Sequence, residues 1–191
     1  MQRLGFDLIL LGDPASGKDT QAKLLMKKFS LKPVESGKYW RAMAKKKTAE
    51  GAWLRRTMSL GHPAPVALMK RFLKEQLAKT PVNKDLLFVG NPRLKPEAQL
   101  LAKMLKERKR DFFVIYIGIP VKEILSRTKL RARSKTEDAG VWNRINYTKN
   151  QVSKTVSYFK SLKKLKSVNG NRDIVKVEKD IQRIIDDYQR S

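Results

Sequence analysis

A loop of two glycines and a lysine, placed between an apolar run and an amphipathic segment, constrains this chain most. Residues 6–11 (FDLILL) form an apolar run interrupted only by Asp7, residues 12–20 read GDPASGKDT, and from residue 17 to residue 29 apolar side chains recur at helical spacing. A glycine, four residues and then Gly-Lys is the spacing that wraps backbone N–H groups around phosphate oxygens and points a helix N-terminus at them. The segment predicts a phosphate-binding strand, loop and helix, with Lys18 reaching the terminal phosphates; an ordinary turn is the alternative.

The rest of the chain alternates short apolar runs with longer helical patterns. Further strands are predicted near 33–35, at 86–89, at 112–117 and ending at Val168, and the last helix carries one apolar stripe: Ile174, Val177, Ile181, Ile184 and Ile185. Strands that are apolar on both faces and are separated by helices predict a parallel sheet covered on both sides. We therefore expect one α/β domain with three layers (α/β/α) and a five-stranded parallel sheet.

Two regions do not fit this minimal pattern and are predicted to be insertions in a core of 1–35, 81–127 and 141–191. Residues 36–80 are helical and carry no strand, with expected helix starts at Ser36, near Glu50 and at Pro63 or Pro65. Residues 128–140 (TKLRARSKTEDAG) are polar and strongly charged, which predicts an exposed, mobile loop.

Composition limits the chemistry that is available. The chain has 43 Lys and Arg against 18 Asp and Glu, a net charge of +25, which favours an anionic partner such as a nucleotide or a nucleic acid. The absence of cysteine excludes disulfides and thiolate nucleophiles, and the single histidine, His62, excludes most His-based catalytic and zinc sites. The early apolar run is too short to span a bilayer, so we expect a cytoplasmic protein without a membrane segment. We also expect a monomer.

The phosphate loop resembles that of the adenylate kinases and related nucleoside monophosphate kinases, which reads G-x-P-G-x-G-K-G-T-Q. GDPASGKDTQ keeps Gly12, Pro14, Gly17, Lys18, Thr20 and Gln21, and departs from the pattern at Ala15 and Asp19. The resemblance implies a phosphate-loop kinase in which the loop binds ATP through Gly12, Asp13, Pro14, Ala15, Ser16, Gly17, Lys18, Asp19 and Thr20.

Two further segments are similar to the acceptor side of the same family. Residues 34–41 (VESGKYWR) resemble I-S-T-G-D-x-x-R, and residues 86–93 (LLFVGNPR) resemble x-x-x-D-G-F-P-R. The resemblance implies that 36–80 is the flap that holds AMP, through Ser36, Gly37, Arg41, Gly90, Arg93, Glu97 and Arg144. The alternative for Ser36 is a helix N-cap and for Arg41 a solvated surface charge.

The donor side is similar to the family in three segments: 124–131, which resembles the helix that leads into the lid, 141–144, and the V-x-G turn at 168–170. The resemblance implies that Arg127 and Gly170 meet the ATP base and that 128–140 is a short lid. It also implies a catalytic set of Lys18, Arg93, Arg131, Arg133 and Arg144. Arginine suits this work because its paired donors match phosphate oxygens.

The resemblance as a whole implies Mg²⁺-dependent phosphoryl transfer from ATP to AMP. Another monophosphate as acceptor remains an alternative, as does a weakened phosphate-loop protein that binds RNA through basic clusters such as 45–47, 108–110 and 163–166. Glu97 stands where the family has Gln, and an ionised carboxylate only accepts hydrogen bonds, which predicts weaker base discrimination. Val89 stands where the family has the Asp that holds the metal through water, so Asp19 is predicted to take over that role; otherwise Asp19 only complements a helix N-terminus.

Overall fold

The computed structural model describes residues 1–59, 64–81, 83–131 and 135–190. In chain order these form β1 (Asp7–Gly12), α1 (Lys18–Lys28), β2 (Leu31–Val34), α2 (Ser36–Ala44), α3 (Ala49–Ser59), α4 (Val66–Ala78), β3 (Asp85–Val89), α5 (Lys95–Glu107), β4 (Phe112–Gly118), α6 (Val121–Arg131), α7 (Lys135–Tyr147), a π-helical stretch (Thr148–Val152), α8 (Ser153–Ser161), β5 (Leu165–Asn169) and α9 (Ile174–Gln189). The predicted strands are confirmed to within two residues at each end for which a boundary was predicted.

The five strands form one parallel sheet in the order β2-β3-β1-β4-β5. β1 is central, and Leu10 pairs with Val89 of β3 on one side and with Ile115 of β4 on the other. The carboxyl ends of β1, β3 and β4 therefore lie side by side, and the loops that follow these strands meet at one edge of the sheet.

Each face of the sheet is covered by its own helices. Helices α4, α5 and α8 bury side chains such as Phe72, Leu101 and Phe159 on one face. Helices α1 and α9 bury Leu25 and Ile181 on the other. This arrangement confirms the predicted three-layer α/β/α fold.

Three expectations about the helices need correction, and the first two concern α9 and residues 128–140. The α9 stripe buries Val177, Ile181 and Ile185, but Ile174 is 57% exposed because it is the first helical residue and lies beyond the edge of the sheet core. A loop over the whole of 128–140 is wrong at both ends, since α6 continues to Arg131 and α7 already begins at Lys135. A hydrogen bond from the Thr128 hydroxyl to the Ile124 carbonyl oxygen (2.7 Å) supports the last turns of α6, and residues 132–134 lie outside the described part of the chain.

The insertion at 36–80 contains α2, α3 and α4 and, in its described residues, no strand, as predicted. Glu35, not Ser36, occupies the cap position of α2, so the interpretation of Ser36 as an N-cap is wrong. The helix start predicted at Pro63 or Pro65 is observed at Val66, directly after Pro65; Pro63 lies outside the described residues. None of the helices in the described ranges is long and apolar enough to cross a membrane.

Candidate active site

The phosphate loop connects the carboxyl end of β1 to α1 and turns too tightly for a side chain at its first position. A Cβ atom on Gly12 would lie 2.6 Å from the Ser16 hydroxyl oxygen and 2.7 Å from the Ile117 carbonyl oxygen, so only glycine fits. The loop folds back on itself through a hydrogen bond from the Ser16 N–H to the Asp13 carbonyl oxygen (3.2 Å). α1 begins directly after the loop, and the N-terminus of a helix favours a bound anion through its first N–H groups.

Ala15 adopts a left-handed backbone conformation, with φ of +57°. The family motif has glycine at this place, and an L-residue pays roughly 1–2 kcal/mol for this conformation. The loop therefore keeps the turn of the family at the cost of local strain.

Asp13 fixes the loop to the neighbouring strand β4. Its carboxylate accepts hydrogen bonds from the Tyr116 hydroxyl (2.6 Å) and from the Ile119 N–H (2.8 Å), and the Asp13 N–H donates to the Ile117 carbonyl oxygen (3.1 Å). Burial and the hydrogen bond to Asp13 both raise the pKa of Tyr116, so the phenol stays protonated and donates. Asp13 is thus occupied within the fold, a role that sequence reasoning missed; the only signal for it was a tyrosine in an otherwise apolar strand.

Lys18 and Arg93, predicted from motifs 75 residues apart in the sequence, come together at Gly90. A Cβ atom on Gly90 would lie 3.1 Å from the Lys18 Cε and 3.8 Å from an Arg93 Nη, and Gly90 has a φ of +67°. The Arg93 Nε donates to the Gly90 carbonyl oxygen (2.9 Å), and the Thr155 hydroxyl donates to the Arg93 carbonyl oxygen (2.9 Å). The ends of β1 and β3 therefore place two cationic side chains next to each other.

The turn after β3 is held by a buried asparagine. The Asn91 amide donates to the Val34 carbonyl oxygen (2.9 Å) and to the Val89 carbonyl oxygen (3.2 Å), and the Asn91–Pro92 peptide bond is cis. These contacts tie the end of β2, where α2 begins, to the turn that carries Arg93.

A cavity of about 550 Å³ opens between the phosphate loop, α2 and the turn after β3. The structure brings these predicted residues to its wall: Gly12, Pro14, Ala15, Lys18, Asp19, Ser36, Gly37, Arg41, Gly90, Arg93, Glu97 and Arg144. Trp40 and Leu54 of the insertion and Tyr147 of α7 also line the cavity, and sequence reasoning did not name them.

The remaining predicted residues lie beside this cavity or outside the described part. Gly17 immediately precedes α1 and Thr20 lies in its first turn, while the Ser16 hydroxyl is buried and has no partner among the described residues. The side chain of Arg131 and the whole of Arg133 lie outside the described residues, so the structure does not place them.

Arg127 bridges the phosphate loop and the turn before α9. Its guanidinium donates to Glu123 (2.6 Å), to the Ala15 carbonyl oxygen (3.4 Å) and to the Gly170 carbonyl oxygen (3.2 Å). Arg127 and Gly170, predicted from separate motifs, are therefore neighbours, on the α6 side of the loop.

Glu97 lies in the cavity wall but is almost fully buried, at 1% exposure. One carboxylate oxygen accepts from the N–H groups of Arg93 (2.9 Å) and Leu94 (3.2 Å), which caps the start of α5. Burial raises the pKa of Glu97 more than these two hydrogen bonds lower it. The Tyr147 hydroxyl, in the same wall, is buried without a partner among the described residues, and burial together with the charge of Glu97 raises its pKa.

The described residues hold no group of three or more His, Asp or Glu side chains that could bind a metal ion by themselves. Val89, at the end of β3, is buried in the core, and Asp13 and Glu97 already accept hydrogen bonds from the protein. Asp19 lies in the first turn of α1 and lines the cavity. Among the described residues it is the cavity-lining carboxylate whose side chain is exposed to solvent. A metal ion here would take most of its ligands from a bound nucleotide and water.

Comparison with known proteins agrees with this geometry. The chain is similar over almost its whole length to proteins named adenylate kinase: 24% identical to that of Methanothrix thermoacetophila, covering 96% of this chain and all of the relative; 29% to that of Azobacteroides pseudotrichonymphae, covering 95% and 97%; and 27% to that of a Synechococcus strain, covering 96% and 98%. The sequence model of the adenylate kinase family matches residues 10–164, which is well over half of the chain, and the chain therefore belongs to the adenylate kinase family.

Proposed function

We propose that this phosphotransferase moves the terminal phosphoryl group of ATP, bound as its magnesium complex, to AMP and so forms two molecules of ADP. The observation that carries the proposal is the meeting of Lys18 and Arg93 at Gly90, between the phosphate loop and the cavity of the insertion. One cation comes from the donor loop and the other from the acceptor turn, so both face the place where a phosphoryl group would pass between two nucleotides.

On the donor side, the loop from Gly12 to Thr20 would hold the phosphates of ATP through its N–H groups and Lys18. Arg127, at the junction with Gly170, would lie against the base. The proposed roles of Arg131 and Arg133 rest only on their match to the family motif.

On the acceptor side, Ser36, Gly37 and Arg41 of α2 and Gly90 and Arg93 of the turn after β3 would hold AMP. Ser36 is buried at 5% exposure and lines the cavity, whereas Arg41 and Arg93 are exposed cations at its wall. An exposed guanidinium beside an open cavity can bind a phosphate with two parallel hydrogen bonds. Glu97 and Tyr147 lie farther along the same wall, where they would meet the base.

The reaction needs charge and alignment rather than a covalent group of the protein. An oxygen of the AMP phosphate attacks the terminal phosphorus of ATP, the bond to the bridging oxygen breaks, and ADP leaves with that electron pair. Lys18, Arg93 and Arg144 would stabilise the charge on the transferred group electrostatically, and the transfer needs no proton from them. This chemistry fits a cavity that is lined by cations.

Magnesium neutralises the ATP phosphates when it is bound. Asp19 would contact it through water, since no acid stands at Val89. The position of Asp19 beside Lys18 and its exposed side chain support this role.

We further assign 36–80 to an acceptor flap and 128–140 to a donor flap. We also propose that the enzyme is a monomer, lies in the cytoplasm and takes part in nucleotide biosynthesis.

A coupled assay for ADP formed from ATP and AMP tests the proposal. Lys18→Met should lower kcat/KM by about 100-fold or more, in the range of other losses of a group that stabilises the transition state. Lys23→Met, on the exposed side of the same helix, should leave kcat/KM unchanged. The assignment would be overturned if the wild-type enzyme formed no ADP, or if the two variants were equally active. If the enzyme turned over GMP, CMP or UMP faster than AMP, that monophosphate would be assigned as the acceptor instead.

A further inference from the structure

The active site uses few of the chain's cations, and the rest are not spread evenly. Residues 139–172 contain no Asp or Glu but eight basic residues: Arg144, Lys149, Lys154, Lys160, Lys163, Lys164, Lys166 and Arg172. By contrast, α9 carries three basic and four acidic residues: Lys176, Lys179 and Arg183 against Glu178, Asp180, Asp186 and Asp187. The positive charge is therefore denser at 139–172 than in α9, and residues 1–138 carry a further 31 basic against 13 acidic residues.

Part of the chain's positive charge lies on the outer side of two neighbouring helices, with Lys103 and Lys106 in α5 and Lys154 and Lys160 in α8. Helices α5 and α8 contact each other on the same face of the sheet. α5 buries Leu101 and Leu105, and α8 buries Thr155 and Phe159. Their outward residues are exposed, and we call this set the α5–α8 face: Gln99, Lys103, Lys106, Lys154, Ser157 and Lys160.

The basic surface continues into the turns that follow both helices. Arg108 and Lys109 lead into β4, Lys163 precedes β5, and β4 and β5 are adjacent strands, so these exposed cations lie at the same end of the face. The exposed acidic residues within this set of helix faces and turns in the described structure are Glu107 and Asp111, and Asp111 forms an ion pair with Lys164 (2.7 Å). The free carbonyl groups at the end of a helix attract cations in its last turn, which explains the positions of Lys106 and Lys160. The same attraction does not explain Lys154, which lies in the first turn of α8.

The residues between the lysines indicate the kind of partner. A membrane-binding helix inserts apolar side chains between its cations, whereas this face carries Gln99 and Ser157, with Leu162 as an exposed apolar residue only in the following turn. Lysine, serine and glutamine side chains are the groups that contact the phosphates and sugars of nucleic acids. Adjacent helices pack 8–10 Å apart, and Lys154 and Lys160 are separated by about 9 Å along the axis, so the face is wide enough for several successive phosphates.

We propose that the α5–α8 face binds single-stranded RNA through its phosphate backbone, without sequence preference and separately from the nucleotide cavity. The cavity is lined from the loops at the carboxyl edge of the sheet, and none of the four lysines of the face lines it. Such binding depends on counterion release, so affinity falls with salt by roughly 0.7 logarithmic units per phosphate and per tenfold change in salt.

The test is fluorescence anisotropy of the full chain with a labelled 20-nucleotide poly(U) RNA, titrated at several salt concentrations with saturating ADP present. Replacing Lys103, Lys106, Lys154 and Lys160 by Gln should reduce the slope of log K against log salt by about 3, from four lost phosphate contacts. The control variant carries Gln at Lys23, Lys27, Lys179 and Arg183, which are exposed on α1 and α9 at the opposite face and remove the same net charge.

Loss of slope in the α5–α8 variant with retention in the control supports the proposal. Equal loss in both variants would show that only the net charge matters, and competition by ADP would place the RNA in the cavity; either result overturns the proposal. Binding to vesicles that contain phosphatidylserine, with no binding to RNA, would overturn it in favour of a membrane. Formation of ADP by both variants at the wild-type rate keeps this test separate from that of the enzymatic activity.

Discussion

The bond between Tyr116 and Asp13 makes a quantitative prediction about ATP binding. Tyr116→Phe removes a 2.6 Å hydrogen bond to a carboxylate and leaves that Asp13 oxygen without its protein donor, while the Ile119 N–H still holds the other oxygen. A hydrogen bond to a charged group contributes about 1.5–3 kcal/mol. We expect the free energy of unfolding to fall by about 2 kcal/mol.

Part of this loss should appear as weaker ATP binding, because Asp13 lies in the phosphate loop. If the whole 2 kcal/mol were needed to hold the loop in its binding conformation, the KM for ATP would rise about 30-fold. Two backbone hydrogen bonds remain at Asp13, through its own N–H and carbonyl oxygen, so we expect a rise between about 3-fold and that limit. The KM for AMP should stay within about 2-fold of the wild-type value, since neither Tyr116 nor Asp13 lines the acceptor cavity.

The chain supplies a matched control at the opposite edge of the sheet. The Tyr188 hydroxyl donates to the Asp111 carboxylate, also at 2.6 Å, and accepts from the Lys164 ammonium, so Tyr188→Phe removes a bond of the same type and length together with this second contact, far from the phosphate loop. Urea unfolding and steady-state kinetics on both variants separate the two effects. The reasoning is refuted if Tyr116→Phe leaves the KM for ATP unchanged, or if Tyr188→Phe raises it equally.

Three further substitutions test other features of the site. Ala15→Gly should raise the melting temperature by about 1–2 °C, because relief of the left-handed strain exceeds the added entropy of the unfolded chain by about 0.5 kcal/mol; a lower melting temperature would contradict the strain. The second substitution is Glu97→Gln. Burial raises the pKa of Glu97 above its usual 4.5, so ionisation destabilises the folded state, and the free energy of unfolding of the wild type minus that of the variant should fall as pH rises through and above 4.5. If urea titrations show that this difference grows with pH, the hydrogen bonds from Arg93 and Leu94 outweigh burial. Asp19→Ala should raise the Mg²⁺ concentration needed for half-maximal turnover and weaken Mn²⁺ binding to the complex of enzyme and ATP, measured by electron paramagnetic resonance; unchanged values would reduce Asp19 to a first-turn acid that complements α1.

The fold was predictable from sequence because its determinants are local. Apolar runs such as 112–117 read as strands whichever neighbours they have, and the glycine spacing at 12–18 has few other uses after a strand. The order β2-β3-β1-β4-β5 does not follow from these patterns, since sequence periodicity carries no information on which strands are neighbours. The loop predicted over 128–140 was wrong at its ends because charged residues such as Lys129 and Glu137 are also good helix formers.

Sequence motifs named many of the residues that line the cavity, but not how these residues lie relative to one another. Motifs named Lys18, Gly90 and Arg93, but only the sheet order shows that the ends of β1 and β3 bring them together. The contacts of Tyr116 with Asp13 and of Thr155 with the Arg93 carbonyl oxygen link residues 103 and 62 positions apart. Such contacts depend on tertiary packing and leave no periodic signal.

The loop's departures from the family pattern have connected physical effects. Ala15 stores roughly 1–2 kcal/mol of backbone strain in the loop, and such strain persists only where the surroundings fix the conformation. Asp13, directly after β1, supplies that constraint because its carboxylate accepts hydrogen bonds from Tyr116 of β4 and from Ile119, the residue after β4. If this compensation holds, the two positions are coupled: Ala15→Gly should increase the free energy of unfolding and the ATP affinity more in the Tyr116→Phe variant than in the wild type. If the two substitutions act independently, their effects on the free energy of unfolding add to within about 0.5 kcal/mol, and that result would contradict the coupling.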